Sequence, residues 1–179
     1  MLFDNSKTLG NSKMRIFLID EYIKQFVNTV FRQVMFAEFE AEAHAMTERN
    51  EALTLAGLNN LYRNLEIKYY GSAITLDEKS DLTWARIPYF YRAFYVYQYA
   101  TGYTTSVAFA KKILGKGQDN AKTDESRNAY LDFLKSGCSD YPINILKKAG
   151  IDLSTPTPIQ ESLFVFEEII SELEKMLKM

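Results

Sequence analysis

The stretch that decides the fold is residues 19–39, IDEYIKQFVNTVFRQVMFAEF. Its apolar side chains recur at steps of three and four residues, which is the period of an α-helix. One stripe runs from Ile19 to Val34, and a second consists of Phe31, Met35 and Phe39. The two stripes cover most of the circumference around residues 30–36. We therefore expect a long helix over residues 12–47 that lies inside the structure rather than on its rim.

Helical patterns continue along the rest of the chain, and no segment alternates convincingly as a strand does. Residues 72–88 are expected to be mostly loop, with a short helical turn near Trp84. The fold class is predicted to be all-α, a helical bundle that forms a single domain over residues 1–179. The further helices are expected over residues 54–70, 88–114, 124–134 and 140–149, and from residue 157 onward.

The composition excludes several classes of protein. With 21 Lys and Arg against 23 Asp and Glu, the net charge is -2, which gives no cationic excess for neutralising phosphates, so no nucleic-acid partner is expected. Cys138 is the only cysteine, so no internal disulfide can form. His44 is the only histidine, and every zinc motif with two histidines is therefore impossible within this chain. We expect no metal site here, with His44 on a solvated face and Cys138 inert in a turn.

The longest uncharged run, residues 93–110, contains many hydroxyl and amide groups that would need partners in lipid. It is therefore not expected to cross a membrane, and no membrane partner is predicted. The polar N-terminal residues lack the apolar core of a secretory signal. A cytoplasmic location is the expectation.

Residues 89–103 hold six of the twelve tyrosines. On a continuous helix Tyr91, Tyr95 and Tyr99 would follow each other at intervals of four and share one face. Such a row could line a cleft where a polar ligand satisfies the phenols, or it could be an aromatic core helix whose hydroxyls reach the surface. Composition alone favours the core helix, because aromatic stripes usually serve packing. Gly102, in the middle of this helix, is expected to mark a bend or the close approach of another backbone.

The tyrosine-rich segment is one of several strings that give the chain, from about Ile19 onward, a family resemblance. It resembles the C-terminal part of oligoendopeptidase F, in the thimet-oligopeptidase-like family of zinc metallopeptidases. The strings occur in the family's order, which makes the resemblance more specific than any one motif. They are FRQVMFAEFE (31–40), KYYG (68–71), WARIP (84–88), FYVYQYATG (94–102), SDYP (139–142) and KKAGIDL (147–153).

The resemblance implies that the bundle is the C-terminal portion of a zincin-type oligopeptidase catalytic domain. In that family zinc is held by the two histidines of an H-E-x-x-H motif and a glutamate on the following helix, and these ligands would lie upstream of this chain. Residues 1–179 are thus expected to be an incomplete fragment that binds no zinc and is inactive alone. Its expected partners are short peptide substrates and the missing upstream half, with self-association as a further possibility.

The resemblance also assigns roles within the tyrosine-rich segment. It implies that this segment forms the wall of the cleft that hydrogen-bonds the substrate backbone and the tetrahedral oxyanion. Tyr99 is the candidate oxyanion donor and Tyr95 is the alternative, while Tyr89, Tyr91 and Arg86 are candidate substrate-binding residues. The family commonly has His where this chain has Tyr89, and whether Tyr89 replaces that His functionally stays open.

A rival interpretation is a non-catalytic helical module that self-associates or pairs with another chain. Its surface would be the stripe of Phe31, Met35 and Phe39, left exposed where the upstream half is missing. Large exposed apolar patches drive association. This interpretation therefore predicts that those three side chains are accessible.

Overall fold

The computed structural model describes residues 12–77, 79–115 and 120–178. In these ranges every regular element is helical, which confirms the predicted all-α fold class. Short 3₁₀ turns also occur at Gly71–Ala73, Ser80–Arg86 and Pro88–Tyr91. The α-helices of the described ranges are α1 (Ser12–Phe26), α2 (Arg32–Glu48), α3 (Leu55–Tyr70), α4 (Tyr97–Leu114), α5 (Asn120–Lys135), α6 (Pro142–Lys148) and α7 (Thr157–Leu177).

The predicted long first helix is present, but a single π turn, Val27–Phe31, separates α1 from α2. Polar side chains contact this turn from the start of α2. The side-chain amide of Gln33 donates to the Asn28 carbonyl at 3.1 Å, and the Arg32 guanidinium donates to the Asn28 side-chain oxygen at 3.2 Å. The π turn contains neither Gly nor Pro, so no helix-breaking residue in the sequence indicated it.

The chain divides into two compact units. Unit A comprises Asn28–Ala100, and unit B comprises Met1–Val27 together with Thr101–Met179. The prediction of a single domain over residues 1–179 stays a prediction. Among the described residues, no helix combines the length and the apolar character that a bilayer crossing requires.

Unit A is built around α2 and α3. The hydroxyl of Thr54 caps α3 by accepting the Gly57 N–H at 3.1 Å, and this helix begins and ends where the sequence predicted. The predicted helical turn near Trp84 is the 3₁₀ segment Ser80–Arg86, and the Trp84 indole N–H donates to Asn59 at 2.8 Å. The buried core of the unit consists of Met35, Phe36, Phe39, Tyr62, Leu65, Ile87 and Val96.

The core of unit A corrects the rival interpretation of the first helix. Met35 and Phe39 are only 1% and 4% exposed, and Phe31 is half-buried. Phe39 meets Tyr62 edge to face, with ring centroids 5.6 Å apart. The stripe therefore packs within its own unit, because α3 and the segment after it already cover α2. The prediction that it is left exposed for another chain is wrong.

The predicted helix over residues 88–114 is wrong in its first third. Pro88–Tyr91 is a 3₁₀ turn, and α4 begins only at Tyr97. Between them Phe94 has a left-handed backbone with φ of +54°, which no α-helix tolerates. Its N–H donates to the carboxylate of Glu40 at 2.8 Å instead of to a carbonyl one turn earlier. Tyr91, Tyr95 and Tyr99 consequently do not share one helical face.

Unit B contains α1, most of α4, and the three C-terminal helices. Helix α1 packs against α7, where the fully buried Phe26 stacks on Phe166 with ring centroids 4.3 Å apart. A second buried core joins α4 to α6 and consists of Ala108, Phe109, Leu146, Ala149 and Ile151. The unit is thus held by packing between segments from both ends of the chain.

Two glycines of unit B differ in position, since Gly150 ends a helix and Gly102 lies inside one. Gly150, with φ of +81°, ends α6 in a Schellman motif, in which the Ile151 N–H reaches the Leu146 carbonyl at 2.9 Å. Gly102 lies within α4, and a Cβ added there would meet no described atom within 4 Å. The predicted close approach of another backbone to Gly102 is therefore not found among the described residues.

Candidate functional site

Three phenols of unit A converge in one group, which we call the tyrosine cluster: Tyr89, Tyr95 and Tyr99. The hydroxyl oxygens of Tyr95 and Tyr99 are 3.3 Å apart, and their rings meet edge to face with centroids at 5.5 Å. The ring of Tyr89 lies 5.0 Å from that of Tyr99 and 6.4 Å from that of Tyr95. Three of the five predicted site residues are thus brought together.

Each member of the cluster comes from a different local structure. Tyr89 lies in the 3₁₀ turn Pro88–Tyr91, Tyr95 in the turn before α4, and Tyr99 in the first turn of α4. The Tyr95 N–H donates to the Arg92 carbonyl at 3.2 Å, which closes the intervening turn. Tyr89 and Tyr99 also pack against the buried core of unit A, and the cluster is therefore anchored on one side while remaining half-accessible.

Hydrogen bonding within the cluster controls the ionisation of its central member. The hydrogen bond with Tyr95 raises the pKa of Tyr99 well above its ordinary value, and burial and the hydrogen bond with Tyr89 act in the same direction. An ordinary phenol is already protonated in the neutral range, and the upward shift keeps Tyr99 so. It is therefore a neutral hydrogen-bond donor rather than a base.

A cation also lies against the cluster. The guanidinium carbon of Arg92 is 4.8 Å from the centroid of the Tyr95 ring, a cation–π contact. The sequence patterns did not indicate Arg92, and the signal that could have found it is its place between the tyrosines of the cluster. Its positive charge therefore lies beside the phenols of the cluster.

The two remaining predicted site residues lie outside the cluster. Tyr91 is 90% exposed, and its predicted place in a row with Tyr95 and Tyr99 is wrong because the helix does not extend that far. Arg86 is exposed at the end of its 3₁₀ turn. Burial raises the pKa of Tyr62 to about 12, and the nearby charge of Arg86 opposes that rise. The predicted roles of Tyr91 and Arg86 in binding substrate stay predictions.

The described residues do not fit a zinc site. In this part of the chain no three His, Cys, Asp or Glu side chains come together as metal ligands. The imidazole of His44 packs on the ring of Phe94 with centroids 4.7 Å apart, and Cys138 is an exposed free thiol. No step of catalysis can therefore be assigned to a metal held by these residues.

An open cavity of about 740 Å³ lies in unit B, between α5 and α6. Acidic side chains and Lys148 line it, but these charges are partly neutralised locally. Asp132 pairs with Lys135 at 3.4 Å, and Lys148 pairs with Asp140 at 2.9 Å. Since none of the tyrosines of the cluster lines this cavity, chemistry favours the tyrosine cluster as the candidate site.

Comparison with known proteins identifies relatives over nearly all of the chain. The model of peptidase family M3 matches residues 3–164. The chain is 43% identical to oligopeptidase PepF of Bacillus subtilis (strain 168) over 169 residues, which are 94% of this chain and 24% of that protein. It is 39% identical to group B oligopeptidase PepB of Streptococcus agalactiae serotype III (strain NEM316), over 95% of this chain and 27% of that one.

The fold has a solved counterpart. The crystal structure of oligoendopeptidase-F from Enterococcus faecium matches with a TM-score of 0.88 and 38% identity, over 96% of this chain and 32% of that chain. These matches confirm the family resemblance that the sequence strings indicated. The chain spans about a quarter of the length of the curated relatives that it matches.

Proposed function

This chain belongs to peptidase family M3, and from that premise we propose that its tyrosine cluster forms the oxyanion-binding wall of an oligopeptidase active site. The reaction is hydrolysis of peptide bonds in short peptides. The observation that carries the proposal is the convergence of three phenols on one another, with the hydroxyls of Tyr95 and Tyr99 3.3 Å apart.

The chemistry proposed for the cluster is electrostatic. When a peptide carbonyl is attacked, negative charge develops on its oxygen, and a preorganised donor aimed at that oxygen stabilises the transition state. Tyr99 suits this task because its phenol is protonated at neutral pH and its hydroxyl lies beside that of Tyr95. Tyr95 is the second candidate donor, four residues earlier in the chain and in contact with Tyr99.

Substrate binding is proposed for Tyr89, Tyr91 and Arg86. Tyr89 belongs to the cluster, and its phenol could hydrogen-bond the backbone of an extended peptide beside the oxyanion donors. Tyr91 and Arg86 are exposed and could contact the peptide farther from the scissile bond. The location proposed for the protein is the cytoplasm, and the proposed substrates are short peptides.

Zinc is proposed to reside outside this chain. The family resemblance implies metal ligands in the part of the relatives that this chain does not span, and the described residues include no cluster of three His, Cys, Asp or Glu that could hold a metal. When bound there, zinc would supply an activated water at neutral pH. The contribution proposed for this chain is restricted to binding the peptide and donating hydrogen bonds to the oxyanion.

The proposal can be tested by supplying, from a relative, the part of the family that this chain does not span. In the Bacillus subtilis relative, the 169 matched residues would be replaced by this chain, which is 43% identical to them. We expect the hybrid protein to cleave short peptides, and the 179-residue chain alone to show neither turnover nor stoichiometric zinc. A folded hybrid without activity, or zinc-dependent turnover by the chain alone, would contradict the proposal.

Self-association remains a separate prediction. The burial of Met35 and Phe39 removes the surface that was expected to mediate it. Light scattering at increasing concentration of the purified chain measures it directly, and a monomer at all concentrations would remove this candidate.

A further inference from the structure

One residue beside the tyrosine cluster has a backbone conformation that its side chain disfavours. Phe94 has φ of +54°, in the left-handed region that bulky residues seldom adopt. Residues held in such conformations persist only where the surroundings determine them, and they concentrate at functional sites. The contacts that hold Phe94 therefore bear on the geometry of the cluster that it adjoins.

Two successive turns of α2 hold this residue. The carboxylate of Glu40, in a residue that is only 6% exposed, accepts the Phe94 N–H at 2.8 Å. Four residues farther along the helix, the ring of His44 packs on the ring of Phe94 with centroids 4.7 Å apart. In the described part of the chain, Phe94 is the one hydrogen-bond partner of the Glu40 side chain. Burying the Glu40 carboxylate carries a desolvation cost, and the hydrogen bond from the Phe94 N–H offsets part of it.

The left-handed residue is what allows the cluster to assemble. If residues 89–99 formed one continuous α-helix, Tyr89 and Tyr99 would be separated by about 15 Å along the axis, at roughly 1.5 Å per residue. Their ring centroids are instead 5.0 Å apart. The chain therefore leaves the helical path between the two tyrosines. Arg92 is extended, with φ of -124° and ψ of 95°, and Phe94 is the described residue of this segment with positive φ.

We propose that Glu40 is a positioning residue of the active site: its buried carboxylate fixes the left-handed conformation of Phe94 and thereby brings Tyr89, Tyr95 and Tyr99 together. The purpose of the arrangement rests on the function proposed above. The positioning itself is a property of unit A and can be measured without any peptidase activity.

The test uses the complete 179-residue chain and two readouts at the site. Amide hydrogen exchange at Phe94 reports the hydrogen bond to Glu40. The titration of Tyr99, followed by NMR of tyrosine labelled at Cζ, reports the integrity of the cluster. We expect Glu40→Ala to accelerate exchange at Phe94 roughly ten- to a hundredfold, as loss of a charge-assisted hydrogen bond implies. We also expect it to lower the Tyr99 pKa towards that of an ordinary phenol, so that the phenolate appears at a lower pH than in the wild type.

Conservative and control variants separate positioning from general destabilisation. Glu40→Gln keeps an oxygen that can accept the same N–H. It should therefore keep both the exchange rate at Phe94 and the Tyr99 pKa close to their wild-type values. Glu66 is the matched control, since it is a buried carboxylate of the same unit, 8% exposed, that accepts the Ser80 hydroxyl at 2.9 Å. Glu66→Ala should leave exchange at Phe94 and titration of Tyr99 as in the wild type.

A further variant covers the case in which Glu40→Ala does not fold. Glycine adopts the left-handed conformation without strain, so Phe94→Gly should make this conformation less dependent on Glu40. The double variant Glu40→Ala/Phe94→Gly should therefore keep the raised pKa of Tyr99. Unchanged exchange and titration in Glu40→Ala would overturn the proposal, as would equal effects of Glu66→Ala. A Tyr99 pKa that is as low in the double variant as in Glu40→Ala would also overturn it. If the hybrid peptidase proved inactive, these results would be unaffected, so failure of the function and failure of the positioning are distinguishable.

Discussion

Gly102 is a position at which alanine should raise the free energy of unfolding. It lies in the interior of α4, where glycine costs about 1 kcal/mol relative to alanine. A Cβ added there would meet no described atom within 4 Å, and the backbone is not left-handed, so no clash or strain opposes the substitution. Gly102→Ala should therefore stabilise the chain by about 1 kcal/mol, which raises Tm by about 2–4 °C for a protein of this size.

The same substitution at Gly150 should act in the opposite direction. Its φ of +81° would be strained for alanine, and the new Cβ would lie 2.9 Å from the Lys112 ammonium nitrogen. The ammonium group can move, so the backbone strain decides the outcome. Left-handed strain costs about 1–2 kcal/mol, and the more restricted unfolded chain recovers about 0.4–1 kcal/mol of it. We therefore expect a net destabilisation of about 1 kcal/mol for Gly150→Ala.

The assay for this pair is urea unfolding followed by circular dichroism, supported by thermal scans. Gly102→Ala should raise the urea midpoint of unfolding and Gly150→Ala should lower it. The slope of the unfolding free energy against urea concentration should not change, since neither variant alters the surface exposed on unfolding. A destabilised Gly102→Ala chain would refute the reasoning, because it would mean that another backbone does approach α4 at this position. A neutral Gly150→Ala chain would refute the assignment of strain.

Two further predictions concern packing and acid stability. Phe26→Ala removes a fully buried ring of α1 and should cost about 3–5 kcal/mol in urea unfolding, whereas Phe17→Ala, which removes a ring that is 56% exposed on the same helix, should change stability by less than about 1 kcal/mol. Hydrogen bonds from Asn144 and Lys148 lower the pKa of Asp140 to about 2. The contribution of Asp140 to the free energy of unfolding is therefore present above its unfolded pKa near 4 and is lost as the pH falls towards 2. The stability difference between wild type and Asp140→Asn should accordingly disappear over that window in urea titrations at a series of pH values, and a difference that persists at the acid end would contradict this assignment.

The helices that the sequence predicted well are those in which periodicity and stop signals agree. Helix α3 shows this, with Thr54 at its start and Gly71 at its end. The first helix was also predicted, because its apolar residues keep the helical period on both sides of the π turn. The π turn itself depends on polar contacts to Asn28, which periodicity does not encode.

The error at residues 88–96 has a tertiary cause. Pro88 suits a helix start and the following residues are compatible with a helix, so local propensity favoured the wrong structure. The left-handed conformation of Phe94 is fixed by Glu40, which lies 54 residues earlier in the chain. Local patterns cannot contain such a contact.

The same contact explains how much of the candidate site was predictable. Tyr95 and Tyr99 are four residues apart and meet as the local spacing suggested. Tyr89 joins them because the chain leaves the helical path before α4, and only the family resemblance had indicated it. Tyr91 was placed in the row by helical spacing, and it is 90% exposed.

The central claim, that Tyr99 donates to the oxyanion, is tested most directly by kcat of the hybrid peptidase carrying Tyr99→Phe. Loss of one oxyanion donor should lower kcat by roughly 10²–10³-fold with little change in KM. The control is Tyr141→Phe, which removes a phenol that is 79% exposed in unit B and should leave kcat unchanged. A Tyr99→Phe hybrid that hydrolyses peptides at the unmodified rate would contradict the account.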